Sequence, residues 1–122
     1  MRKLAVAVLA VAFLSACGGG TGGATQPAGS IKVTMTEFAF SPNSLTAPAG
    51  KVVFFLVNGG SVAHDLVVEK KADNSRVGAS ELVSAGDSSV FTIDNLPAGD
   101  YLIICDQPGH EASGMKGTLT VS

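Results

Sequence analysis

The chain predicts an all-β domain, an antiparallel sandwich or barrel built from short strands. Three observations lead there. Apolar residues beyond residue 30 either alternate with polar ones or gather in runs of strand length. Clusters of Gly, Pro and Asn interrupt these runs at short intervals. No stretch of twelve residues after the opening apolar run shows helical periodicity.

The elements follow in order. Ile31 to Thr36 alternates apolar and polar residues, and Phe38 and Phe40 extend the pattern. Pro42-Asn43 marks a turn, and Ala47-Pro48-Ala49-Gly50 punctuates again. Lys51 to Val57 is a β-branched and aromatic run closed by Asn58-Gly59-Gly60. Val62 to Glu69 is the next strand, with His64 near its head. Lys70 to Ala79 is polar and reads as a loop with at most a helical turn. Ser89 to Ile93 and Asp100 to Cys105 are strands joined through Asn95-Leu96-Pro97-Ala98-Gly99, and Gly117 to Val121 closes the chain. Tyr101 fits a structural tyrosine corner better than a redox role. There is no internal repeat.

With 122 residues the chain has room for one domain. Apolar residues make up 46% of it and charged residues only 15%. The formal charge is −2; without Arg2 and Lys3, 6 basic residues stand against 10 acidic ones, or −4. A mildly acidic chain with no basic stripe has no electrostatic footprint for nucleic acid. Asp87, Asp94 and Asp100 read as solvated turn residues.

The N-terminus reads as an export address. Met1-Arg2-Lys3 is positive, Leu4 to Leu14 is an uninterrupted apolar run, and Ser15-Ala16-Cys17 follows. The run is too short to span a bilayer as a helix and has the form of a secretory signal. Leu14-Ser15-Ala16-Cys17 resembles the bacterial lipobox, which implies cleavage before Cys17 and acylation of its thiol. The expected organisation is therefore a signal peptide over 1–16, a lipidated Cys17 with a flexible Gly- and Thr-rich tether over 17–30, and a globular domain over 31–122. The expected location is extracytoplasmic, anchored by lipid to a bacterial membrane. A disulfide between Cys17 and Cys105 is disfavoured, because each cysteine sits in a context that suggests another use.

The chemistry lies in the last third. Cys105, His110 and Met115 recur at Cys-x4-His-x4-Met, and the chain's other histidine, His64, lies upstream. Singly, each is more often structural: a buried Met fills core, as Met35 does, and a buried Cys is inert. Together they form a set of soft and borderline donors. Two imidazoles, a thiolate and a weak thioether suit copper in both charge states. Gly109 and Gly114 permit the tight turns such a ligand loop needs. Zinc is the competing metal; thioether serves it poorly, but Asp106 or Glu111 could complete a zinc site.

These features resemble the cupredoxins, within them the plastocyanin, azurin and auracyanin-like carriers. The matching segments are Asn58-Gly59-Gly60 with His64, Leu96-Pro97-Ala98-Gly99 with Tyr101, then Cys105, Pro108-Gly109-His110, Met115 and Lys116-Gly117-Thr118-Leu119-Thr120-Val121. The resemblance implies a Greek-key β-sandwich or barrel of about seven to eight strands. It implies His64, Cys105 and His110 as equatorial ligands of one copper ion and Met115 as the axial one. It gives Asp65, where many members have Asn, the task of tying the two ligand loops together. It also implies an apolar patch of Pro108, Gly109, Ala112 and Met115 around His110 for transient redox partners.

The implied function is a membrane-tethered one-electron carrier, monomeric and not an enzyme. Both histidines are assigned, so no second His-based copper centre can be built. The alternative is copper storage or delivery. Such proteins usually rely on Met- or Cys-rich surfaces, and this chain has three Met residues, at 1, 35 and 115.

Overall fold

β1 (Ile31–Thr36) turns Val33 and Met35 inward and is paired along its length, which sets the first layer of the core. A computed structural model describes residues 23–122. The signal peptide and Cys17 expected from the sequence lie outside the described residues. Residues 23–30 carry no strand; Ala24 and Ser88 bond to one another there, with Ser88 Oγ 3.1 Å from the Ala24 carbonyl.

The remaining strands are β2 (Ala39–Ser41), β3 (Ser44–Ala47), β4 (Gly50–Asn58), β5 (Val67–Lys70), β6 (Arg76–Ala79), β7 (Ser88–Leu96), β8 (Gly99–Ile104) and β9 (Lys116–Val121). One sheet has the order β2-β1-β4-β7 and the other β3-β9-β8-β5-β6. The all-β sandwich expected from the sequence is present, with nine strands among the described residues. β4 runs through the centre of its sheet. Val52, Phe54, Leu56 and Asn58 alternate toward the interior, and Phe54 stacks on Phe91 at 5.6 Å. Leu66, Val68, Ile103 and Leu119 meet them from the second sheet.

Besides β5, which begins at Val67 rather than Val62, and β7, which runs to Leu96 rather than Ile93, three details depart from the strand reading. First, the pairing is mixed rather than wholly antiparallel: β1 lies parallel to β4 and β3 parallel to β9. A parallel pair needs a crossover connection. Residues 37–49 supply it, with β2 in one sheet and β3 in the other. Second, Phe38 does not extend β1. It sits at φ +61° in a tight turn, and β2 folds back antiparallel on β1. Third, the polar segment after Lys70 holds β6, whose single large apolar residue, Val77, left no alternation to read. Tyr101 does form its corner, donating from its hydroxyl to the Pro97 carbonyl at 2.7 Å.

Candidate metal centre

β8 ends by delivering Cys105, fully buried, to one end of the sandwich. The Cys105 amide donates to the Met115 carbonyl at 3.2 Å, so the β8–β9 ladder continues one step into the ligand loop. Between them the chain turns back on itself. The His110 amide donates to the Gln107 carbonyl at 3.0 Å, and the Met115 amide to the His110 carbonyl at 3.0 Å. Gly109 at φ +79° and Gly114 at φ +109° occupy the left-handed region that a side chain disfavours. Met115 is fully buried, its main chain bonded to that of both Cys105 and His110.

His64 arrives from the opposite side. It lies three residues before β5 and is held by a two-way backbone bridge to Val83, with N···O distances of 3.1 and 2.8 Å. Asn58, at the end of β4, shapes the approach. Its side-chain amide donates to the carbonyls of Val62 at 2.8 Å and Val83 at 2.9 Å, and its oxygen accepts the Gly60 amide at 2.9 Å. All its polar groups are satisfied, which is what a buried amide requires.

The three donors converge. His64 Nδ1 and His110 Nδ1 are 3.2 Å apart, and the Cys105 sulfur lies 3.9 Å from the first and 3.5 Å from the second. Metal–nitrogen and metal–sulfur bonds of about 2.0 and 2.3 Å, at angles between tetrahedral and trigonal, separate two nitrogens by about 3.3–3.5 Å and nitrogen from sulfur by about 3.5–3.7 Å. The triangle fits one ion. Asp106 and Glu111, the acids that could complete a zinc site, lie outside this cluster. Asp106 instead pairs with Arg76 at 2.9 Å.

Burial pushes the Cys105 thiol up, against the opposing pull of the Asp65 and Gln107 amides. Metal binding there must displace the thiol proton.

Asp65 ties the loops as expected. One carboxylate oxygen accepts the Asp106 amide at 2.7 Å, and the other lies 3.4 Å from the Gln107 side-chain amide. The patch around His110 needs a correction. Pro108, Gly109 and Ala112 are exposed, but Met115 is fully buried in the core, because its backbone closes the ligand loop from inside. Phe38 takes its place at the surface. It is 41% exposed and meets the His110 ring edge-on at 5.1 Å.

Two residues at the site escape a reading along the chain, Phe38 and Glu37. Both sit in the β1–β2 turn. The Glu37 carboxylate lies 3.4 Å from His64 Nε2 and accepts the amides of Ser61 at 2.7 Å and Val62 at 3.1 Å. The one available signal was composition: Glu37 is the only acidic residue before Asp65.

A two-sheet sandwich that gathers two imidazoles and one thiol at one end defines a small β-protein with one candidate metal centre among the described residues. The profile of the cupredoxin-like domain matches residues 4–121, and the chain belongs to this family. It is similar to auracyanin-B of Chloroflexus aurantiacus, at 31% identity over 119 residues covering 75% of this chain. The chain spans about half of that relative, 51% of its length. It is 32% identical over 90 residues to plastocyanin of Ulva prolifera, covering 70% of this chain and 88% of the plastocyanin. Among solved structures it resembles auracyanin A, a "blue" copper protein from Chloroflexus aurantiacus. There the TM-score is 0.62 at 27% identity, over 75% of this chain and 99% of the other.

Proposed function

We propose that this chain is a type 1 blue-copper electron carrier, with His64, Cys105 and His110 as equatorial ligands and Met115 as the axial ligand. The observation that carries the reading is the triangle of Nδ1, Nδ1 and sulfur, with edges of 3.2, 3.5 and 3.9 Å. Kinship with auracyanin-B and plastocyanin supports it. A copper ion held there supplies a one-electron Cu(II)/Cu(I) couple.

The protein's part is to hold the donors still. Backbone bonds to Val83 fix His64, and the main-chain turns of the 105–115 loop fix Cys105 and His110. Donors that cannot rearrange impose one geometry on both charge states, which keeps reorganisation on electron transfer small. His64 is fully buried, whereas His110 is half-buried and reaches the surface beside Phe38, Pro108 and Ala112. Partners dock there in weak, transient encounters of small interface area. The protein acts as a carrier and not as an enzyme. It works as a monomer outside the cytoplasm, tethered through a lipid on Cys17 after removal of residues 1–16.

Visible absorption tests the reading. The copper-loaded protein should show an intense thiolate-to-copper band, and Cys105→Ser should remove it while leaving a folded domain. A colourless copper complex of the unmodified protein, or an unchanged band in the variant, would refute the ligand set.

A further inference from the structure

The Glu37 carboxylate reaches back over the loop that carries His64. Its Oε1 atom accepts the Ser61 and Val62 amides at 2.7 and 3.1 Å and lies 3.4 Å from His64 Nε2. Gly60 leaves the space for it, since a Cβ at that position would collide with the carboxylate oxygen. Two amides and an imidazole thus share one oxygen.

The consequence for His64 is chemical. A neutral imidazole has one N–H and one bare nitrogen, and an ionised carboxylate can only accept. Donation from His64 to Glu37 requires the imidazole proton on Nε2. Nδ1 is left as a lone pair aimed at Cys105 and His110. His110 has no such backing: among the described residues its ring nitrogens bond only within the cluster, to His64 and Cys105. The two imidazoles are unequal, one buried and charge-backed, the other at the surface.

We infer that Glu37 is a positioning and charge-setting residue of the metal centre, fixing His64 as an Nδ1 donor and favouring the more highly charged state of the ion held there. The inference rests on the copper reading above. A carboxylate bonded to a ligand imidazole fixes its tautomer and raises its basicity, and a fixed negative charge near a metal stabilises the higher oxidation state. The Glu37 side chain is 35% exposed, so solvent screens part of that charge.

Two variants of the full chain separate the components. Glu37→Gln keeps an acceptor and removes the charge; Glu37→Ala removes both. Nitrogen–proton NMR of the metal-free protein reads the His64 tautomer, and a potentiometric titration of the copper-loaded protein reads the potential. The unmodified protein should show the proton on Nε2. Glu37→Gln should keep the visible band and shift the Cu(II)/Cu(I) preference toward Cu(I) by up to about tenfold, a rise of about 59 mV. Glu37→Ala should show mixed His64 tautomers and bind copper about 10- to 100-fold more weakly. Wild-type tautomer and potential in both variants would overturn the inference. If the unmodified protein formed no thiolate band, the copper reading would fail by itself. The metal-free NMR would still decide whether Glu37 positions His64.

Discussion

Asp65 shows how one side chain can join two distant ligands. It follows His64 in the chain, and its carboxylate accepts the amide of Asp106, the residue after Cys105, at 2.7 Å. The group is nearly buried at 9% exposure, so leaving that amide without a partner is costly. Asp65→Ala should destabilise the metal-free domain by about 1–3 kcal/mol. Asp65→Asn, which keeps an oxygen for the same bond, should lose less than half as much. Urea unfolding of both variants checks this. At this scale the converging donors were legible because two of the three, Cys105 and His110, fall within one short loop. Glu37 was not legible, because its contact with His64 spans 27 positions and depends on a turn that alternation cannot reveal. The same turn hid Phe38, whose positive φ puts it over His110 instead of on the face of β1.

Among the elements, β9 places the end of the ligand loop, and it depends on a close approach. Gly117 faces the Asn43 carbonyl, where a Cβ would collide with backbone. The neighbouring Thr118 amide donates to that same carbonyl at 2.8 Å. Gly117→Ala should therefore push β3 from β9 and cost about 1–3 kcal/mol. Faster amide exchange in Leu45 and Leu119 than in β4 of the same variant would locate the damage; uniform exchange would contradict it. β1, β4, β8 and β9 were read to within a residue or two because they carry unbroken apolar patterns, whereas β7 runs three residues past Ile93 and β5 begins five residues after Val62. β2, β3 and β6 are only three or four residues long and too brief for a period to show. Their absence from the strand reading also concealed the crossover, and with it the parallel pairs.

On the proposed reading, the whole molecule joins a small acidic domain to an N-terminal export address. The metal-facing end presents Phe38, Pro108, Gly109 and Ala112, the surface where the proposed carrier would meet its partners briefly. The proposed tether would set where these encounters occur. Expressed in a bacterium, the full chain should partition into the detergent phase, and Cys17→Ser should move it to the aqueous phase; equal partitioning would remove the lipid from the account. The fold class was legible from strand length and punctuation, and the metal from donor chemistry. The packing of one loop against another was not, because it arises only when two sheets bring sequence-distant turns to one end.

The claim on which all of this depends is that one ion sits among these donors and changes charge without leaving. Stoichiometric reductive titration of the copper-loaded protein tests it most directly. One electron per chain should bleach the visible band, the copper should stay bound, and air or a mild oxidant should restore the colour in full. Release of copper on reduction, or a band that one electron equivalent does not bleach, would contradict it.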